Sequence, residues 1–231
     1  MTEVSTPETT DITGRTISVL GGTGDQGRGL ARRFALAGHT VYLGSRSAER
    51  AAKAAGELVG AESTAIDVRG LDNAAAAAEG DIVIVAVPWD GHKELLESLA
   101  GPLAGKLVVD CVNPLGFDKR GPFALDVPEG SAAEQAAAVL PDSTVVAAFH
   151  HVSAVILLDP AVETVDLDVL VLGEDRAATD TVRALAERIP GVRGVFGGRL
   201  RNAHQVEALT ANLIAVNRRY KTHAGIRITG L

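Results

Sequence analysis

Residues Gly22, Thr23, Gly24, Asp25, Gln26 and Gly27 set three glycines in a G-x-G-x-x-G spacing. The apolar run "TISVL" (16–20) precedes them and a helical pattern follows. In that setting the spacing is a dinucleotide fingerprint; without a ligand it would be only a structural turn. Gly22 is expected to allow the tight turn, Gly24 to admit a pyrophosphate against the backbone, and Gly27 to bring helix and strand close. Asp25 and Gln26 open the helix, whose unpaired N–H groups and positive dipole end face the phosphates. A site for NAD places Asp or Glu about 20 residues on, at the end of the second strand, to hold the ribose 2′-OH. Here "YLGSRSAER" offers Ser45 and Arg46, with no acid until Glu49 and with Arg50 one helical turn later. A carboxylate repels a 2′-phosphate, whereas a guanidinium binds one for roughly 1.5–3 kcal/mol. The plain alternative is a solvated basic helix start; the reading preferred is NADP rather than NAD.

Three further stretches fall at the carboxyl ends of expected strands, where ligands of a doubly wound sheet bind. "VAVPWDGH" (85–92) brings Val87, Pro88 and Trp89, with Pro88 stopping the strand. Trp89, the single Trp, reads as a pocket wall or as plain packing. "DCVNPLG" (110–116) turns Asn113 toward the same crevice, and its Cys111 reads as a buried structural thiol. "AAFHHVSA" (147–154) carries two adjacent histidines, whose side chains point apart on an extended chain, so a metal pair is disfavoured. A general acid–base role, a plain structural role, and packing against a second planar ligand stay open, the last being preferred.

The elements that must position these residues alternate as short β-rich runs and Ala-rich helical stretches, a parallel sheet covered by helices. Strands are expected at 16–20, 39–44, 63–67, 81–87, 106–112 and 144–149, with helices at about 26–37, 47–58, 70–78, 91–100 and 131–139. "IVIVAV" is apolar without alternation, as a strand buried on both faces should be. Beyond residue 150 the pattern gives strands at 166–173 and 192–196 and helices at 175–189 and 202–221. The expectation is a Rossmann-type α/β domain over 15–150, a smaller α/β domain over 151–231, and a frayed tail over 1–14. With 231 residues, 46% hydrophobic and 22% charged, the chain reads as well packed. A net charge of −7 disfavours nucleic acid or an anionic membrane as partner. No apolar run approaches the ~20 residues of a membrane span, and no secretory signal is seen, so a cytoplasmic place is expected.

The motifs "GGTGDQGRGLARRFALAGH", "GSRSAERA", "VAVPWD", "FHHVSA" and the close "VEALTANLI…GIRITGL" together resemble the NADPH-dependent 8-hydroxy-5-deazaflavin (coenzyme F420) oxidoreductases from about Arg15 to Leu231. The resemblance implies direct hydride exchange between reduced deazaflavin and NADP, in a cleft that presses the two rings together. By position, Thr23, Ser45, Arg46 and Arg50 match NADP-binding residues. His150 and Val152 match residues near the deazaflavin ring and nicotinamide. Ala154 is placed on the ring slot, and Gly225 to Leu231 match a segment on its deazaflavin side. Arg199, Arg201 and Lys221 are candidates for the acidic tail of the deazaflavin. One departure is "HHVSA" where the family can have "HTIPA". The family is commonly dimeric, so a homodimer is expected. Such chemistry needs no acid–base constellation, because the carriers bring it; the protein must hold donor and acceptor carbons roughly 3–3.5 Å apart without water. Two other readings are an NADP-dependent imine or ketone reductase of the pyrroline-carboxylate type, and a non-enzymatic NADP sensor.

Overall fold

The computed structural model describes residues 10–231. In chain order the elements are β1 (Ile17–Leu20), α1 (Asp25–Leu36), β2 (Val41–Ser45), α2 (Ala48–Ala61), β3 (Val68–Asp72), α3 (Asn73–Glu79) and β4 (Ile82–Val85). There follow α4 (His92–Leu103), β5 (Leu107–Asp110), the hairpin β6 (Leu115–Asp118) and β7 (Gly121–Ala124), α5 (Ala132–Val139) and β8 (Thr144–Ala147). The chain closes with α6 (Ala154–Leu158), β9 (Leu167–Gly173), α7 (Arg176–Ala186), β10 (Val192–Gly198) and α8 (Ala203–Tyr220).

Eight strands form one sheet in the order β10-β9-β8-β5-β4-β1-β2-β3. From β3 to β8 all pairings are parallel, and the strand order reverses between β1 and β4. This is the doubly wound arrangement the sequence predicts, with its crevice at the carboxyl ends of β1 and β4. Alternate residues of β4 explain its unbroken apolar run: Ile82 and Ile84 join one core layer with α1 and α2, Val83 and Val85 the other with α3, α4 and α5.

The segment after residue 150 does not build a sheet of its own. β9 pairs antiparallel with β8 at Val146–Gly173 and Ala147–Leu172, and β10 runs parallel to β9, so the sheet crosses the expected boundary. Val169 and Val171 enter the first core layer and Leu172 the second. The expected strand at 63–67 lies instead at β3, five residues on, because Gly70 permits contact with α2. A Cβ there would stand 2.1 Å from the Ala51 carbonyl carbon. The β6–β7 hairpin and α6 are additions to the expected elements.

Two anchors fix the chain around the crevice. Arg33 of α1 donates to the carbonyls of Ile156 and Leu157 at 2.7 and 2.9 Å, holding the end of α6. Asp168, fully buried in β9, pairs with Arg193 and Arg227 at 2.7 Å and accepts from the Ile228 N–H at 2.6 Å, which fastens the C-terminal run. Those three donors hold its carboxyl well below the usual range despite burial.

Residues 1–9 of the expected tail lie outside the described residues. Within 10–14, Ile12 is 4% exposed and belongs to the core layer of α1 and β2. Ile12→Ala should therefore lower the unfolding free energy by about 2 kcal/mol. A denaturant midpoint unchanged from the parent would show that this contact carries no stability.

Candidate functional site

The chain leaves β1 through Gly21, whose φ of +69° suits glycine alone among ordinary choices. A Cβ at Gly21 would also stand 2.5 Å from Val87 Cγ1. The tight turn thus falls one residue before Gly22. Gly22 serves packing instead: its Cβ would meet Leu43 Cδ2 at 2.5 Å and the Val19 carbonyl at 2.7 Å. Gly27 sits against the Gly22 Cα, where a Cβ would approach to 2.7 Å, as close strand–helix packing requires. Gly24 is different. It is exposed, and a Cβ would find only the Gly21 carbonyl, at 3.7 Å. It is also the N-cap of α1 with no side-chain cap, so the N–H groups of Asp25, Gln26 and Gly27 lack an intrahelical acceptor. An anion is the partner such donors accept most readily.

A cavity of about 560 Å³ runs from this turn across the ends of β2 and β4. Thr23, Gly24, Asp25 and Gln26 line one side, Ser45, Arg46 and Arg50 the far end, and Val87 and Pro88 the near end. Ser45 closes β2 and is buried; Arg46 and Arg50 are exposed and form no ion pair among the described residues. Asn73 was not anticipated. Its side chain lies against Gly44 and accepts from the Gly21 N–H at 3.4 Å, bracing the turn from α3.

A second cavity of about 350 Å³ shares Gln26, Ala86, Val87 and Pro88 with the first, so the two form one cleft. Its walls are Trp89, Cys111, Asn113, His150, His151 and Val152, closed by Thr210, Leu213, Ile214 and Asn217 of α8. Phe149 shapes this end. It is fully buried yet holds φ at +65°, a conformation that strains a bulky residue. Phe34 packs on it edge to face at 5.8 Å, and its carbonyl accepts from Gln26 Nε2 at 3.3 Å. Asn113 Nδ2 and Thr210 Oγ1 both donate to the His150 carbonyl, at 2.8 and 3.1 Å. The expectation of an extended chain with diverging histidines is thereby corrected: a left-handed turn brings His150 and His151 to the same cavity.

Both rings are buried, and none of their four nitrogens has a hydrogen-bond partner among the described residues. Burial depresses each pKa to about 4, so both are neutral at physiological pH. Burial also raises the Cys111 thiol well above its usual range; its Sγ donates to the Val85 carbonyl at 3.0 Å, and it is a structural wall. Buried neutral rings beside a slot of mixed lining, with nitrogens that no described group satisfies, fit a planar ligand with polar edges, while the Gly24 cradle and free guanidiniums fit a phosphorylated dinucleotide.

Some anticipated residues fall elsewhere. Ala154 opens α6 and its carbonyl faces Gly29 of α1. Leu231 is exposed at the sheet edge, where its carbonyl accepts from Arg193 at 3.2 Å. Arg199 pairs with Glu174 at 2.6 Å, and Arg201 is exposed beside it. Lys221 lies closer, in a shallow basin with Arg218 and His223 that adjoins the slot at Ile214 and Asn217.

Comparison with known proteins points to one family. A family model described as "NADP oxidoreductase coenzyme F420-dependent" matches residues 16–114. The F420-dependent NADP reductase of Methanothermobacter thermautotrophicus is 43% identical over 223 residues, covering 93% of this chain and 95% of that protein. Its counterpart from Methanocaldococcus jannaschii is 41% identical, covering 93% and 98%. A crystal structure of a candidate F420-dependent NADP reductase from Arthrobacter sp. FB24 superposes with a TM-score of 0.75 at 27% identity, over 94% of this chain and 100% of that one. A pyrroline-5-carboxylate reductase from Coxiella burnetii, at 16% identity and TM-score 0.61 over 90% and 68%, shares the fold alone. From the glycine turn to the closing helix, this chain belongs to the family of F420-dependent NADP reductases.

Proposed function

We propose that the protein is an oxidoreductase catalysing reversible hydride transfer between reduced 8-hydroxy-5-deazaflavin, coenzyme F420, and NADP. The observation that carries this reading is the pair of adjoining cavities with unlike character, phosphate donors at one and a slot bordered by Trp89 and unpaired buried imidazoles at the other. The two carriers supply the chemistry, one as hydride donor and one as acceptor. The N–H groups at the head of α1 hold the pyrophosphate, and Ser45, Arg46 and Arg50 hold the 2′-phosphate. Val87, Pro88, Trp89 and Val152 exclude water where the rings meet. His150 and His151, being neutral, offer hydrogen bonds without a charge that would favour one redox state. Cleft groups need only orient the rings, consistent with the depressed histidine pKa values. A cytoplasmic homodimer belongs to the same reading. Val216 and Tyr220, one helical turn apart on α8, are exposed apolar side chains available to it. Among the described residues no helix is long and apolar enough to cross a membrane.

The direct test is a spectral titration: adding NADPH and the protein to oxidised deazaflavin should bleach its visible band, and a band that persists with active-site-saturating NADPH would reject the reading. Arg46→Ala should weaken NADP roughly ten- to a hundredfold while NAD changes little; equal losses for both would remove Arg46 from the phosphate. His150→Ala should lower turnover or raise the KM for deazaflavin more than it weakens NADP binding, measured by NADPH fluorescence titration.

The buried histidines also set a pH response. Unfolded histidine takes up its proton near 6.5, whereas native His150 and His151 do so only near about 4. Their contribution is therefore intact above pH 6.5 and is lost as pH falls toward 4. Glu207, which burial pushes up to about 7, has the opposite sign: its penalty is relieved as pH falls from 7 toward 4.5. Two histidines outweigh one glutamate by roughly 1–2 kcal/mol, so Tm should drop by a few degrees between pH 6.5 and 5. His151→Asn should shrink that drop; a flat wild-type melting curve across this range would contradict neutral burial.

A further inference from the structure

Beneath the slot lies a polar cluster that the reading above does not use. His92, the first residue of α4, is fully buried. Its Nε2 donates to Asp110 Oδ2 at 2.6 Å and its Nδ1 to Gln135 Oε1 at 3.0 Å. The Gln135 amide cannot be turned around without loss, because its Nε2 donates to Glu129 Oε2 at 3.1 Å. Both imidazole nitrogens therefore face acceptors and both carry hydrogens, which makes His92 an imidazolium.

The ring also lies under Trp89, with centroids 5.6 Å apart and planes tilted by 31°. The other oxygen of Asp110 accepts from the Val112 N–H at 3.0 Å. Val112 and the next residue, Asn113, form the turn whose amide holds the His150 carbonyl. One cation thus touches one wall of the slot and, through one carboxylate, fixes the opposite one.

We propose that His92 is a positioning residue for hydride transfer, bracing Trp89 directly and the Val112–Asn113 turn through Asp110. The groups facing it are Asp110 of β5, Glu207 of α8, and Glu129 through Gln135, with Lys93 on Glu129 and His150 and Cys111 beyond Asp110. Burial opposes the charge on His92, yet Asp110 and the two hydrogen bonds hold its pKa above 6.5. Loss of that proton would break one of the two hydrogen bonds and leave the buried Asp110 charge without a counter-charge. Displacement of a ring wall by a fraction of an ångström is felt in the rate, since reacting carbons must meet in near-attack geometry.

Trp89 is the only Trp in the chain, so all indole emission comes from this position. A protonated imidazole quenches indole fluorescence far more than a neutral one. The proposal rests on the cleft being the ring slot, so the emission arm is run without either carrier and stands whether or not turnover is found. In the wild type, emission should rise as pH is raised past a midpoint above 6.5. His92→Gln should be brighter at pH 7 and lack that rise, and Glu207→Gln should keep it. With both carriers, His92→Gln should lose about tenfold in kcat while the KM for NADP stays within about twofold. If that variant does not fold, Asp110→Asn should fold and shift the wild-type rise to lower pH. Emission and its pH response unchanged in His92→Gln, an unshifted rise in Asp110→Asn, or a wild-type kcat in a His92→Gln protein with altered emission would each overturn the proposal.

Discussion

Hydride passes only between carbons in van der Waals contact, in a space from which water has been expelled. A doubly wound sheet offers one natural place for such a meeting, the gap where its strand order reverses and no helix covers the strand ends. In this chain that gap lies between β1 and β4. Other features of the molecule make sense as ways of lining, bracing or roofing it. The glycines thin the backbone on one side, Pro88 ends the strand on the other, and α8 lays Leu213 and Ile214 across the opening.

The two ends of the gap are built on different physics. At the end lined by Ser45, Arg46 and Arg50 the chain relies on exposed charge and unpaired backbone donors, which need little support because water screens their errors. At the end lined by Trp89 and the histidines it relies on shape, and shape has to be held. Phe149 is kept in a left-handed conformation by burial against Phe34, and the turn it creates is tied down by Asn113, Thr210 and Gln26. Strain at one residue is thus balanced by packing and three hydrogen bonds around it. Arg33 extends the same support outward, fixing α6 immediately after the histidine turn.

What could be read from the sequence was what local pattern encodes. The glycine spacing, the absent acid after β2, and the Pro and Asn turns at strand ends are short-range signals with a direct mechanism, and they converge on the cleft. The positive φ falling on Gly21 rather than Gly22 is a one-residue matter that spacing does not resolve. β3 was misplaced because "STAID" has the better strand composition, whereas "VRGLD" carries the glycine that α2 needs for contact. The joining of β9 to β8 rests on only two residue pairs separated by some 25 positions, and nothing local marks it. Thr210 reaches His150 across 60 residues, and the His92–Asp110 pair hides in a stretch that reads as helix start and strand. Partners brought together by topology leave no trace in a linear pattern.

The central claim is that hydride moves straight from one ring to the other without visiting solvent. The most direct measurement is isotope tracing with NADPH deuterated at the transferable position of the nicotinamide, reacted with oxidised deazaflavin in ordinary water and followed by mass spectrometry. Retention of the label in the reduced deazaflavin, up to the stereochemical limit of one face, is the predicted result. Reduced deazaflavin carrying only protium from both labelled faces would mean that the hydrogen exchanges with water, and the two-ring slot would not be the reaction site.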